Sequence, residues 1–595
     1  MSSIEPISEK AAAPIPLPTS SRPTPTTYTP LRRALLITGT LLLLPVAHHT
    51  FSNFTDNTPS IALSGPAVSN ACVQAPAVPY ISDTARSDFI FENDTFKAKE
   101  VERFLGAIRI PTQSYDDMTN AKFEEGEGYD VRFDGFKKLH AYLEETYPLI
   151  YEKTTLANPH RFNLVYTLRG SEPKLKPLVL TAHQDVVPAP DSTLDRWTYP
   201  PFKGVFDGEY IWGRGSSDCK NSLIAIMTAL EHRLEQGWKN RRTLVLAFGF
   251  DEEIGGPQGA SAIGKHLLDT YGPNGVAMLV DEGGSGVEEK YGKLWILPGT
   301  AEKGNVSPAI LVETEGGHSS TPSVHTGIGI LSRIVASVED ANLFPPTLHT
   351  SSPVYGYMNC VATHGVPSLV PSWLKKGLQG KQTQKALDKL AAAYAEVRGR
   401  MAGEFLVRTS KAVTLISGGH KLNALPESAR AVFNSRIDFS QSPETVLDIY
   451  TDSILPTAEA YNFTLISFNK TVLHEGSDGT IRIDIQGDDP LAPAPLTPVH
   501  GQAWDLFGWA SRRVFEKDGE DEVIVSPSAA TGNTDTKWYW DLTKNIYRFV
   551  PRRIGTSFAA HTVDEKILFK THLEGLAWYH ELILLFDDIK TDEGF

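Results

Sequence analysis

Five residues of the chain have the types that bind hard divalent cations: His183, Asp218, Glu253, Asp281 and His561. Two imidazoles and three carboxylates, with no thiolate, suit zinc and equally manganese or cobalt. Five protein ligands exceed what one open catalytic zinc takes, but they suit two metals if one carboxylate bridges. Two divalent cations bring four positive charges and the three carboxylates remove three, so a bridging hydroxide would neutralise the surplus. Metals roughly 3.5–4 Å apart generate such a hydroxide and also clamp the oxygen that gains charge in the transition state.

Each of these residues also has a plainer reading. His183 in TAHQDV could be an ordinary histidine, but Asp185 lies two residues on, where it shares a face of an extended strand and would orient the ring. Asp218 in GRGSSDCKNSL has the type and position of a helix N-cap, and capping is compatible with bridging. His561 precedes a helical run, where a histidine usually caps or faces water. The doublet Glu252–Glu253 is sharper, because two adjacent acids at a strand end cannot both be buried without partners. With Glu253 on metal, Glu252 beside it would serve as general base, moving a proton from water to the leaving amine. Cys219 reads as a buried soft filler pointing away from Asp218, and His364 and His500 as ordinary histidines.

The elements that must position these groups read as an α/β fold. PLVLTAH (177–183), TLVLAFGF (243–250) and VAMLVDE (276–282) are buried strands, and NSLIAIMTALEHRLEQG (221–237) is the helix between the first two. This alternation predicts a mostly parallel sheet, whose chemistry lies beyond the carboxyl ends of its strands. From residue 304 the pattern becomes β-α-β-β-α-β, a ferredoxin-like domain spanning 304–488. An insertion at 345–410 carries no chemical signature; it shapes the substrate cleft or covers a dimer face. The catalytic domain is thus predicted in two parts, 89–303 and 489–595.

Before it come a proline-rich tail (1–33), an uncharged apolar stretch (34–55) and a Ser/Pro/Ala-rich stalk (56–88). Arg32 and Arg33 precede the apolar stretch, so it reads as a signal anchor with the N-terminus cytosolic; a cleaved signal with a secreted product is the alternative. Five Asn-X-Ser/Thr triplets follow, at Asn53, Asn93, Asn305, Asn462 and Asn469, as candidate glycosylation sites in a body beyond the membrane. Over 595 residues the chain is 41% hydrophobic and 21% charged, which excludes wholly disordered, collagenous and multi-span membrane proteins. A net charge of −15 disfavours nucleic acid as a partner. Three scattered cysteines argue against a disulfide framework.

The ordered runs TAHQDVVP, WGRGSSDCKNSL, DEEIGG, LVDEGG, GGHSSTP and HTVDE resemble those of the M20 family of dinuclear zinc metallopeptidases over roughly residues 89–595. The long N-terminal segment and the enlarged lid are most similar to its fungal Gly-Xaa carboxypeptidases. The resemblance implies two zinc ions per subunit, with Asp218 bridging, His183 and Asp281 on one metal, and Glu253 and His561 on the other. It implies Glu252 as general base, Asp185 as partner of His183, and His318 as the donor that stabilises the carbonyl oxyanion, commonly across a homodimer interface. Asn423 and Arg436 match lid positions that bind the C-terminal carboxylate of a short peptide, and Gly532 and Asn533 match the substrate loop. It further implies a catalytic body in a vacuolar, lysosome-like lumen. Alternatives are an N-acyl (fatty-acyl) amino acid hydrolase using the same chemistry and a non-catalytic binding ectodomain on the same fold.

Overall fold

The computed structural model describes residues 72–79, 86–120, 129–284, 286–474, 476–487, 490–516 and 522–595. The expected tail and anchor, with Asn53, lie outside them. Among the described residues no helix is long and apolar enough to cross a membrane.

An eight-stranded sheet forms the catalytic body, in the order Thr155–Ala157, Leu164–Leu168, Leu244–Gly249, Leu178–His183, Met278–Asp281, Ile546–Arg548, Gly299–Glu302 and Ser528–Ala530. Its four central strands, from Leu244–Gly249 to Ile546–Arg548, are parallel. The strand Leu178–His183 is buried along its whole length, as a sheet covered on both faces requires. Leu178 and Leu180 join one core with the helices Lys220–Glu235 and Phe569–Asp588, while Val179 between them joins another with Ile263 and Leu267 of the helix Ala260–Tyr271. The period-2 alternation of these residues therefore feeds both layers at once.

The second domain has its own apolar core, in which Ile310, Ile334, Phe433 and Ile454 meet. Its helices are Gly327–Asp340 and Pro443–Ala460, and its strands include Pro308–Glu313, Ala412–Gly418, Ser428–Ile437 and Thr464–Ser467. The β-α-β-β-α-β order is present with one change. A further strand, Thr480–Ile485, inserts beside Pro308–Glu313 and displaces Thr464–Ser467 outward, where it forms a hairpin with Lys470–Leu473. Ile481 and Ile483 of that strand fill the core in place of the expected edge.

The 345–410 insertion forms the helices Pro353–His364, Ser372–Leu378 and Gln384–Ala402. Although its chain leaves and re-enters the lid, its core packs on Trp295, Leu297 and Ile524 of the catalytic body. The stalk expectation needs correcting too. Residues 72–79 include a contact with the body: Gln74 donates to the carbonyl of Val525 at 3.1 Å and accepts from its amide at 2.8 Å, as a neighbouring strand would. Cys72 is joined by a disulfide to Cys360 of the insertion, and His364 Nε2 contacts the Cys72 carbonyl at 2.9 Å. The sequence separation of 288 residues hid this pairing. Of the described triplets, Asn93, Asn462 and Asn469 are exposed, whereas Asn305 is half-buried in a strand and paired with Asn434.

Candidate metal centre

The candidate residues converge at the carboxyl ends of the parallel strands. His183 ends its strand fully buried. Its Nδ1 faces the carbonyl of Asp185 at 2.9 Å and a carboxylate oxygen of the same residue at 3.2 Å, which leaves Nε2 for the cluster. Asp185 does a second job. Its two carboxylate oxygens accept the backbone amides of Glu252 and Glu253, each at 3.1 Å, so one buried side chain fixes both the ring and the acidic doublet.

Asp218 stands between the two imidazoles. One oxygen lies 3.2 Å from His183 Nε2 and the other 3.1 Å from His561 Nε2. His561 Nε2 is also 3.1 Å from Glu253. The approach to Asp218 turns through Gly213 and Gly215, both at positive φ, where a side chain would strain the backbone. A residue the sequence reading passed over, Glu565, holds this turn from below. Its buried carboxylate accepts the amides of Gly215, Ser217 and Asp218 and pairs with Arg214 at 2.6 Å.

Asp281 does not join the cluster as expected. The register sets Leu180 opposite Val280, which leaves Asp281 level with Thr181, two residues short of His183. Its carboxylate accepts the Thr181 hydroxyl at 2.5 Å, and its other oxygen has no hydrogen-bond partner among the described residues. The next residue, Glu282, lies past the strand end and comes within 3.4 Å of His183 Nε2. Two donor groups result, His183–Asp218–Glu253 and His183–Cys219–Glu282, each with its ligand atoms within 4.8 Å of one another. Cys219 is buried as expected, but its sulfur sits at the cluster and accepts the His183 amide.

The protonation balance shows what this arrangement lacks. Burial, and then the charge of Glu282, push Glu252 well above the ordinary carboxylate range. Burial pushes Glu282 up to about 7, and raises Asp281 and Asp535 too. Burial acts the same way on Asp218, but hydrogen bonds to His183 and His561 outweigh it and hold that carboxyl low. Bonds to Asp218 and Glu253 in turn lift His561 to about 10. Two imidazoles are too little positive charge for this many buried carboxylates, so the donor set fits divalent cations.

The expected substrate residues fall in two places. Arg436 of the lid reaches the catalytic body, donating to Asn533 at 2.9 Å, and Asn533 donates to the Lys303 carbonyl at 2.6 Å. Burial lowers the Arg436 pKa, and no carboxylate among the described residues pairs with it. Gly532 beside Asn533 is exposed on the same loop. His318 and Asn423, in contrast, stand on an exposed two-stranded ribbon, Gly317–His318 against Ala424–Leu425, where His318 bonds Ser320 rather than the cluster.

A parallel α/β sheet with carboxylates and imidazoles clustered at its strand ends, under a second domain, defines a metal-dependent hydrolase. Residues 179–585 match the family described as peptidase family M20/M25/M40. Carboxypeptidase S of Saccharomyces cerevisiae is 37% identical over 84% of this chain and 86% of its own length. An N-fatty-acyl-amino acid synthase/hydrolase of Bos taurus is 30% identical over 81% and 86% respectively. Among solved structures, an M20 family metallo-carboxypeptidase from Sulfolobus solfataricus shares the fold with a TM-score of 0.53 at 17% identity, covering 82% of this chain and 99% of that one. The chain belongs to peptidase family M20/M25/M40 and is an enzyme of the metallo-carboxypeptidase class.

Proposed function

We propose that the enzyme hydrolyses the C-terminal peptide bond of short peptides of the Gly-Xaa type, with two zinc ions held by His183, Asp218, Glu253, Glu282 and His561. The observation that carries this reading is Asp218, whose two carboxylate oxygens each face a different imidazole. The metals would polarise the scissile carbonyl and acidify water. Glu252, held in place by the Asp185 bond to its amide, takes a proton from the attacking water and hands it to the departing amine. Arg436, whose guanidinium has no carboxylate partner among the described residues, supplies the charge for the substrate's free carboxylate, and the Gly532–Asn533 loop lies beside it.

His318 and Asn423 project from the lid into solvent, and a second copy of the chain would bring them over its neighbour's cluster, with His318 donating to the oxyanion. The Cys72–Cys360 disulfide and the exposed Asn93, Asn462 and Asn469 support a body in an oxidising lumen such as the vacuole, with residues 34–55 as its anchor. A second reading, N-fatty-acyl amino acid hydrolysis, is favoured by the 30% identical Bos taurus relative.

The test is amino-acid release by the zinc-loaded protein from an N-blocked Gly-Leu dipeptide and from an N-fatty-acyl leucine, with and without chelator. Chelator-sensitive preference for the dipeptide is expected. Preference for the acyl leucine would replace this reading with the second, and no release from either would remove both.

A further inference from the structure

A cavity of about 470 Å³ borders the residues that follow Glu282 in the chain, and the 345–410 insertion contributes to its lining. One side is Gly283 and Gly284, directly after Glu282, together with the loop Thr531–Thr534 that contains Gly532 and Asn533. The insertion contributes Val354, Tyr357, Tyr394 and Leu406 to the lining. Its volume lies within the roughly 300–1,000 Å³ of pockets that enclose small organic ligands, far more than a hydrogen side chain needs.

The charge in this cavity is already neutralised. Glu302 pairs with Arg548 at 3.1 Å, and Glu288 with Lys290 at 3.1 Å. The part of the lining that the insertion supplies is apolar and aromatic, and there the buried hydroxyl of Tyr357 has no partner among the described residues; Ser528, Thr531, Asn533 and Thr534 are the polar part on the catalytic body. A neutral, tyrosine-lined hollow selects for apolar bulk, because a charged side chain would lose its hydration there without gaining a counter-ion.

We propose that this cavity receives the side chain of the released C-terminal residue, and that the insertion thereby makes the enzyme select large apolar or aromatic residues at that position. The inference rests on the carboxypeptidase reading. If Arg436 and the Gly532–Asn533 loop hold the terminal carboxylate, the Cα of the released residue stands at that loop. Its side chain can then enter the cavity that the same loop lines.

The experiment measures kcat/KM of the full zinc-loaded chain on N-blocked Gly-Gly, Gly-Ala, Gly-Leu, Gly-Phe and Gly-Trp. Leu and Phe are expected to exceed Gly by at least about 10-fold, the lower end of what a single methylene is worth in an apolar pocket. Leu406→Trp, which fills the cavity, is expected to lower the Phe-to-Gly ratio at least tenfold. Tyr394→Ala, which enlarges it from a different helix, is expected to raise the Trp-to-Leu ratio, so the proposal stays testable if one variant fails to fold. Release with a flat preference overturns the pocket assignment while the carboxypeptidase reading stands. So does a Leu406→Trp variant that slows all five substrates equally, or one that changes only the dependence on the N-blocking acyl group. No release from any substrate overturns the carboxypeptidase reading and the assignment together.

Discussion

Asp281 and Glu282 are adjacent acids with different surroundings, and the difference is measurable. Asp281 spends one oxygen on the Thr181 hydroxyl, while Glu282 faces His183. Glu282→Ala should therefore lose about one zinc per chain on dialysis and take most of the activity with it. Asp281→Asn should keep its metal and lose activity only modestly. Metal analysis of the two purified variants decides this, and the reverse pattern would return the ligand role to Asp281. The other donor residues that meet at the cluster were legible from their types, and His183 and Glu253 also from the ends of their apolar runs. This one was not, because LVDE offers two carboxylates in a row and only the register with the neighbouring strand says which reaches His183. Asp185 was legible as the partner of His183, but its hold on the Glu252 and Glu253 amides depends on backbone geometry that no spacing reveals.

At the level of elements, the parallel core was readable because its strands are uniformly apolar and end in chemistry. The turn before the helix Lys220–Glu235 was only half readable. Its glycines announced a tight path, but the carboxylate beneath it comes from residue 565, nearly 350 positions away in the chain. Glu565→Gln should leave Arg214 buried without its counter-charge, at a cost of about 3–5 kcal/mol. Chemical denaturation should show that loss, and zinc affinity should fall with it, since Asp218 rides on the same turn. Unchanged stability would mean that the turn is held by the rest of the body. The strand Thr480–Ile485 escaped the reading because two polar residues alternate with its isoleucines at what looked like a domain edge. It is central only because Pro308–Glu313 needs a partner on that side.

At the scale of the molecule, the exposed ribbon bearing His318 predicts shared sites between two copies. His318→Ala and Glu252→Gln should each be nearly inactive alone. Mixed and allowed to exchange subunits, half the dimers would be mixed and one of their two sites intact, so roughly a quarter of wild-type activity should return. Light scattering establishes the dimer, and failure of the mixture to recover would place His318 over its own cluster. The insertion also changes how the two domains are joined. The chain passes from body to lid near Gly304 and back after Gln486, as any inserted domain must. Because 345–410 packs on the body, the chain crosses the boundary twice more, after the helix Gly327–Asp340 and before the strand Ala412–Gly418. A domain on two crossings swings like a door on a hinge, whereas one on four spread attachments can only tilt slightly. Substrate entry and product release should then use small rocking motions rather than a wide opening within the chain, which small-angle scattering with and without a bound peptide would show as a nearly unchanged radius of gyration.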